Sequence, residues 1–297
     1  VRGIPAVLCF FWSGIALAGV SSWIPFHNSG GHIVIPVIVN GESGEAILDS
    51  GASGNAISEA FLKRHEGEYG EGKQIVVHGA YGSRRVNLIN NIQVEMFGSE
   101  FRLDQLMPAR IGGYELVVGL PFFENFIIQI DYPRGNLRLI DHESLDLKQV
   151  ANVRMKRAKG SAHPIVQLNL NGEYDPWITL DTGSNGGLLL RRFDAERFGW
   201  LDKYASDAGY SAGVTSVASV ERFTLPTVEI GPFVLENVTV TVPGEGQNAN
   251  IGQDDSRSSS RIRKDPSAGI LGYGVLKHFI VTIDFKRSLL FLEIPPD

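Results

Sequence analysis

Two short triplets carry the densest chemical signal in the chain. Asp49-Ser50-Gly51 and Asp181-Thr182-Gly183 each follow an apolar run (AILDSGAS and ITLDTGSN), and they stand 132 residues apart. A lone Asp-Thr-Gly is ordinary turn chemistry, because Asp and Gly are turn residues. Carboxylates that work as a set can take and return protons in general acid–base catalysis. Whether these two belong to one set depends on the elements that carry them.

Other chemical patterns fail their context tests. Gly209-Tyr210-Ser211-Ala212-Gly213 has the G-x-S-x-G form of a serine nucleophile elbow, which needs a strand before it and a helix after it. Here DKYASDA precedes, and the strand-like VTSVASVERF follows. Gly244-Glu245-Gly246-Gln247-Asn248-Ala249 imitates a dinucleotide fingerprint, but polar loop follows where a helix is required. The seven His show no metal-ligand spacing, and a single Cys, Cys9, excludes Cys-based zinc or iron–sulfur sites. No metal and no cofactor are expected.

The elements that would position the triplets are duplicated. His32 to Ser58 reads HIVIPVIVNGESGEAILDSGASGNAIS, and His163 to Leu190 reads HPIVQLNLNGEYDPWITLDTGSNGGLLL. Both run apolar strand, Asn-Gly turn, apolar strand, triplet. Asn-Gly between alternating apolar runs is a strong hairpin signal, here at Asn40-Gly41 and Asn171-Gly172, with the second loop one residue longer. Downstream, Val117-Val118-Gly119 heads GLPFFENFIIQIDYPRGNLRLI, and Ile270-Leu271-Gly272 heads GYGVLKHFIVTIDFKRSLLFLE. At an offset of 153, Phe126 matches Phe279, Asp131 matches Asp284, Tyr132 matches Phe285 and Arg134 matches Arg287. Short β-rich runs broken by Gly and Asn dominate elsewhere, with helices expected only around Asn55–His65 and Leu188–Trp200. The pattern is that of an all-β, two-lobed protein.

Duplicated triplets, each followed by apolar-apolar-Gly, resemble the pepsin–retropepsin clan of aspartic proteases over nearly all of residues 31 to 294. The resemblance implies an acid-protease fold with an internal pseudo-twofold, and Asp49 and Asp181 as the catalytic dyad of an endopeptidase. It makes Ser50 and Thr182 the hydroxyl pair that locks the two loops together, and it has Gly51 and Gly183 admit backbone N–H groups to the carboxylates. Like charges a few Å apart do not both ionise readily, so such a pair shares a proton and activates a water. Ser184 can hydrogen-bond its carboxylate where Ala52 cannot, so a mildly acidic, bell-shaped profile is expected. A flap is also implied. Tyr81-Gly82-Ser83, at a Gly-rich hairpin tip, is similar to the Tyr-Gly-Thr of pepsin flaps, and Tyr210 is its counterpart in the second half. A catalytically inactive peptide-binding protein of the same fold is the alternative, and a Ser211 hydrolase is a third reading.

Composition bounds the rest. The 297 residues are 43% hydrophobic and 20% charged, with a net charge of −6, which speaks against a nucleic-acid partner. A peptide or protein substrate and a monomeric state are expected. Residues 1–30 read as a signal peptide or membrane anchor: Ile4 to Val20 is apolar or small, and Ala16-Leu17-Ala18 fits a cleavage site. Export to the periplasm or medium is expected, or anchoring through residues 4–26 if the segment is uncut. The halves are then residues 31–143 and 163–297, joined by a basic linker, 144–162, and Pro243 to Ser267 reads as a long polar loop. Compared with pepsins the chain is short, lacks their disulfides and has no long basic pro-segment, so two fused retropepsin-like lobes are expected.

Overall fold

The computed structural model describes residues 19–79, 82–159, 161–212, 217–247 and 267–296. The apolar N-terminal run through Ala18 with Cys9, the flap candidate Tyr81, Gly213, and most of the polar tract after Pro243 lie outside the described residues.

Each half builds its own eight-stranded sheet. In the first, His32–Val39 and Glu42–Leu48 form the anticipated hairpin, with Val39 opposite Glu42. Asn40 and Gly41 turn the chain at φ of 46° and 84°, the left-handed pair that a two-residue hairpin requires. In the second, Pro164–Leu170 and Trp177–Leu180 pair in the same way. Asn171 and Gly172 again have positive φ, and the Leu170–Tyr174 bridge confirms the longer loop. The strand carrying each triplet is then flanked in parallel by the apolar run of the later motif. Leu116–Val118 lies beside Glu42–Leu48, and Gly269–Leu271 lies beside Trp177–Leu180.

A third sheet joins the halves. Its order is Ile24–Pro25, Asn136–Ile140, Ile127–Asp131, Ile280–Asp284 and Leu289–Glu293. The two central strands come one from each half and run antiparallel, and Gln129 faces Thr282 in register. Those residues are 153 positions apart, the duplication's own offset, so the pseudo-twofold axis passes between them; Gln129 Nε2 donates to Thr282 Oγ1 at 2.8 Å. Ile127–Asp131 is buried throughout, as a strand covered on both faces must be, and Ile128, Ile130, Val281 and Ile283 are solvent-inaccessible. Burying one such side chain contributes roughly 1.5–3 kcal/mol, so this floor is the rigid part of the inter-lobe contact.

Three boundaries differ from expectation. The folded body begins before residue 31: Ile24–Pro25 pairs with Leu137 and Asn136, and Phe26 is buried, so residues 24–26 belong to a sheet. The two expected helices are shorter and begin later. Ala56–Ser58 and Leu188–Leu190 are strands, and the helices are Glu59–Arg64, Arg192–Arg197 and Trp200–Lys203. Pairing with Leu116–Val118 and Gly269–Leu271 captures those apolar triplets and overrides their local preference. The basic linker is partly structured, since Met155–Arg157 pairs with Pro164–Val166 and Leu147 and Val153 are buried. Among the described residues, no helix is long and apolar enough to cross a membrane.

Candidate active site

The two triplets meet at the pseudo-twofold axis. Each is held at the end of its strand by the apolar-apolar-Gly run: Asp49 N donates to Val118 O at 2.9 Å, and Asp181 N donates to Leu271 O at 3.0 Å. Ser50 N then donates to Thr182 Oγ1, and Thr182 N to Ser50 Oγ, both at 3.0 Å across 132 residues. Each hydroxyl in turn donates a hydrogen bond to the opposite strand, Ser50 Oγ to Leu180 O at 3.1 Å and Thr182 Oγ1 to Leu48 O at 2.9 Å. Both residues are buried and every polar atom in the exchange has a partner, so the network specifies one relative position of the loops.

That lock brings the carboxyls together. Gly51 N and Ala52 N donate to Asp49 Oδ1 at 2.8 and 2.9 Å, and Gly183 N donates to Asp181 Oδ1 at 2.8 Å. A Cβ on Gly51 would overlap the Asp181 carboxyl, and one on Gly183 would overlap that of Asp49. Each aspartate therefore lies under the glycine of the other loop, next to its partner. Burial, and next the charge of Asp49, hold the Asp181 carboxyl well above the ordinary carboxylate range. Both aspartates are largely buried, with a small part of each reaching the surface.

A family model for aspartyl protease matches residues 35–104 and 166–275, more than half of the chain, with one triplet in each region. The chain belongs to the aspartyl protease family. Its two-lobed, all-β architecture also matches the crystal structure of aspartic proteinase from Irpex lacteus. The TM-score is 0.58 over 92% of this chain and 97% of that one, at 12% identity, a likeness of fold. No curated protein matches the chain.

The other anticipated residues of this family member divide. Gly82 and Ser83 open the returning strand of a hairpin, Gly70–Gly79 with Gly82–Asn90. Tyr210 lies on a second hairpin, Asp207–Ala212 with Val217–Ile230, and is 77% exposed. The elbow geometry fails for Ser211, which pairs with Ala218 within a strand of that hairpin rather than standing between a strand and a helix. Ser184 supports the site differently from expectation. Its N–H donates to Asp181 O at 3.3 Å and its carbonyl accepts from Tyr273 N at 2.8 Å. Its hydroxyl lies against Gly272 and makes no hydrogen bond with Asp181, because the backbone contacts turn the side chain toward the helix beginning at Tyr273.

Three supports escaped the sequence reading. Asn55 is buried and its Oδ1 accepts from Gly119 N at 2.9 Å; the second lobe does this with a backbone carbonyl, Gly187 O to Gly272 N, also at 2.9 Å. The other two tie each hairpin to its lobe through the first residue of a helix. Glu59 pairs with Arg84 of the first hairpin, and Arg192 pairs with Glu221 of the second at 2.6 Å, with the charges reversed. A polar residue after each triplet was the available signal for Asn55. The reversal hid the ion pairs, since the duplication does not repeat them.

Proposed function

We propose that the chain is an aspartic endopeptidase in which Asp49 and Asp181 activate a water against a peptide bond. The observation that carries the reading is the reciprocal Ser50–Thr182 lock, which sets two carboxyls side by side at the junction of the lobes. Asp181, raised by burial and by its neighbour, keeps the shared proton. Asp49, whose Oδ1 accepts two backbone N–H bonds, is the base. Asp49 takes a proton from water as its oxygen attacks the scissile carbonyl carbon, and Asp181 gives its proton to the carbonyl oxygen. The resulting gem-diol collapses with proton transfer to the leaving nitrogen, and no covalent enzyme intermediate forms. Such a pair works while it holds one proton, which supports a mildly acidic, bell-shaped profile. In this reading Tyr81 and Tyr210 cover substrate, and the apolar N-terminal segment directs export.

The test is cleavage of a peptide library by the purified protein from pH 3 to 7, with Asp49→Asn, Asp181→Asn and the double variant beside it. Each single variant should lose several orders of magnitude in turnover with an unchanged circular dichroism spectrum. The double variant should be hardly worse, because the two groups act as one unit. Near-normal cleavage by a well-folded Asp181→Asn ends the reading.

A further inference from the structure

One buried polar group near the site is unaccounted for. Tyr132 follows directly on the central strand Ile127–Asp131 and is 7% exposed, and its hydroxyl has no hydrogen-bond partner among the described residues. Its ring stands edge-on to Phe26 at 6.3 Å and tilted against Tyr273 at 6.0 Å. Tyr273 in turn donates its N–H to Ser184 O, the residue following the second triplet. The phenol of the first half is thus packed against the residue that holds the aspartate loop of the second.

The duplication supplies an internal control. The equivalent position in the other half is Phe285, which packs on Phe123 of the first lobe at 5.2 Å. An aromatic ring without a hydroxyl therefore suffices for packing there. A buried hydroxyl without a partner is destabilising, so Tyr132 carries an oxygen that packing alone does not require.

We propose that Tyr132 is a positioning residue for Asp181. Its hydroxyl donates a hydrogen bond, through one water, to the Asp181 carboxylate once that group has released its proton. This rests on the reading of Asp49 and Asp181 as a working pair. Asp181 begins protonated and becomes an anion as its proton passes to the carbonyl oxygen, so a donor behind it stabilises the charge that develops. Burial, then the charge of Asp181, then Tyr273, push the phenol far above its ordinary value, so it stays protonated at every working pH. The titratable groups around it are Asp181 with Asp49 beside it, and Tyr273 on the packed helix. Asp131, its chain neighbour, is engaged by Arg134 Nη1 at 3.0 Å.

The test is Tyr132→Phe, which copies the residue the other half already uses. Two measurements are made on wild type and variant: kcat and KM for a cleaved peptide across pH, and NMR titration of 13C-labelled aspartate carboxyls. A hydrogen bond to the ionised form lowers a carboxyl's pKa, so removing it should move the upper titration step of the pair, and the basic limb of kcat, to higher pH. kcat should fall about tenfold with KM unchanged, since the interaction is made only as charge develops. An upper titration step that does not move overturns the proposal, whatever happens to kcat, because a purely structural hydroxyl predicts that. If wild type cuts no peptide while the step still moves in the variant, the hydrogen bond stands and the peptidase reading falls instead.

Discussion

Replacing Thr182 by Val preserves shape and deletes one hydroxyl at the centre of the loop exchange. Thr182 Oγ1 accepts from Ser50 N at 3.0 Å and donates to Leu48 O at 2.9 Å, and both Thr182 and Ser50 are inaccessible to water. The valine methyl can do neither, so a buried N–H and a buried carbonyl lose partners. An abandoned buried group costs about 1–3 kcal/mol, so the variant should lose about 2–6 kcal/mol, a large share of an ordinary domain's stability. Ser50→Ala removes the two mirror-image bonds and should cost a similar amount. The double variant should cost less than the sum, because the second deletion acts on loops that the first has already freed. Urea unfolding measures all three, and peptide turnover should fall alongside as the carboxyls lose their fixed separation. A loss under about 0.5 kcal/mol for Thr182→Val, with turnover kept, would refute the claim that this exchange holds the site together.

Two further outcomes follow from the site. The Asp181 carboxyl is raised in the folded state by burial and then by Asp49, so folding binds a proton, and this group's contribution falls as pH rises from its unfolded value near 3.8 toward the raised folded value. Asp181→Asn should therefore melt higher than wild type near neutrality, with the gap shrinking toward pH 3 by up to about 1.4 kcal/mol per pH unit; a pH-independent gap would contradict the assignment. Gly183→Ala should cost about 1–3 kcal/mol and most turnover, because its methyl meets the Asp49 carboxyl, whereas Gly186→Ala, whose methyl meets nothing, should be near neutral in the same melting and cleavage assays.

Much of the architecture is legible in the chain because it rests on local rules repeated twice. Asn-Gly sets the hairpin turn at 40–41 and again at 171–172, and alternating apolar residues decide which strand faces are covered. The triplets and the apolar-apolar-Gly runs are short, contiguous and duplicated, so Asp49 and Asp181 stand out in sequence. Pairing between distant segments is what local rules do not contain. Ala56–Ser58 is a strand because Leu116–Val118, some sixty residues on, lies beside it. Ser184 carries the right hydroxyl in the right place in sequence, and backbone contacts with the Tyr273 helix turn it away from Asp181. Arg84–Glu59 and Arg192–Glu221 perform one task with opposite charges, which no repeat in the residues reveals. The hydroxyl of Tyr132, a match to Phe285 in sequence, acquires a meaning only when the second half packs Tyr273 against it and leaves it buried without a partner. Residue types decide which groups are present, but burial and proximity set the charge a carboxyl carries, and those belong to the packed molecule.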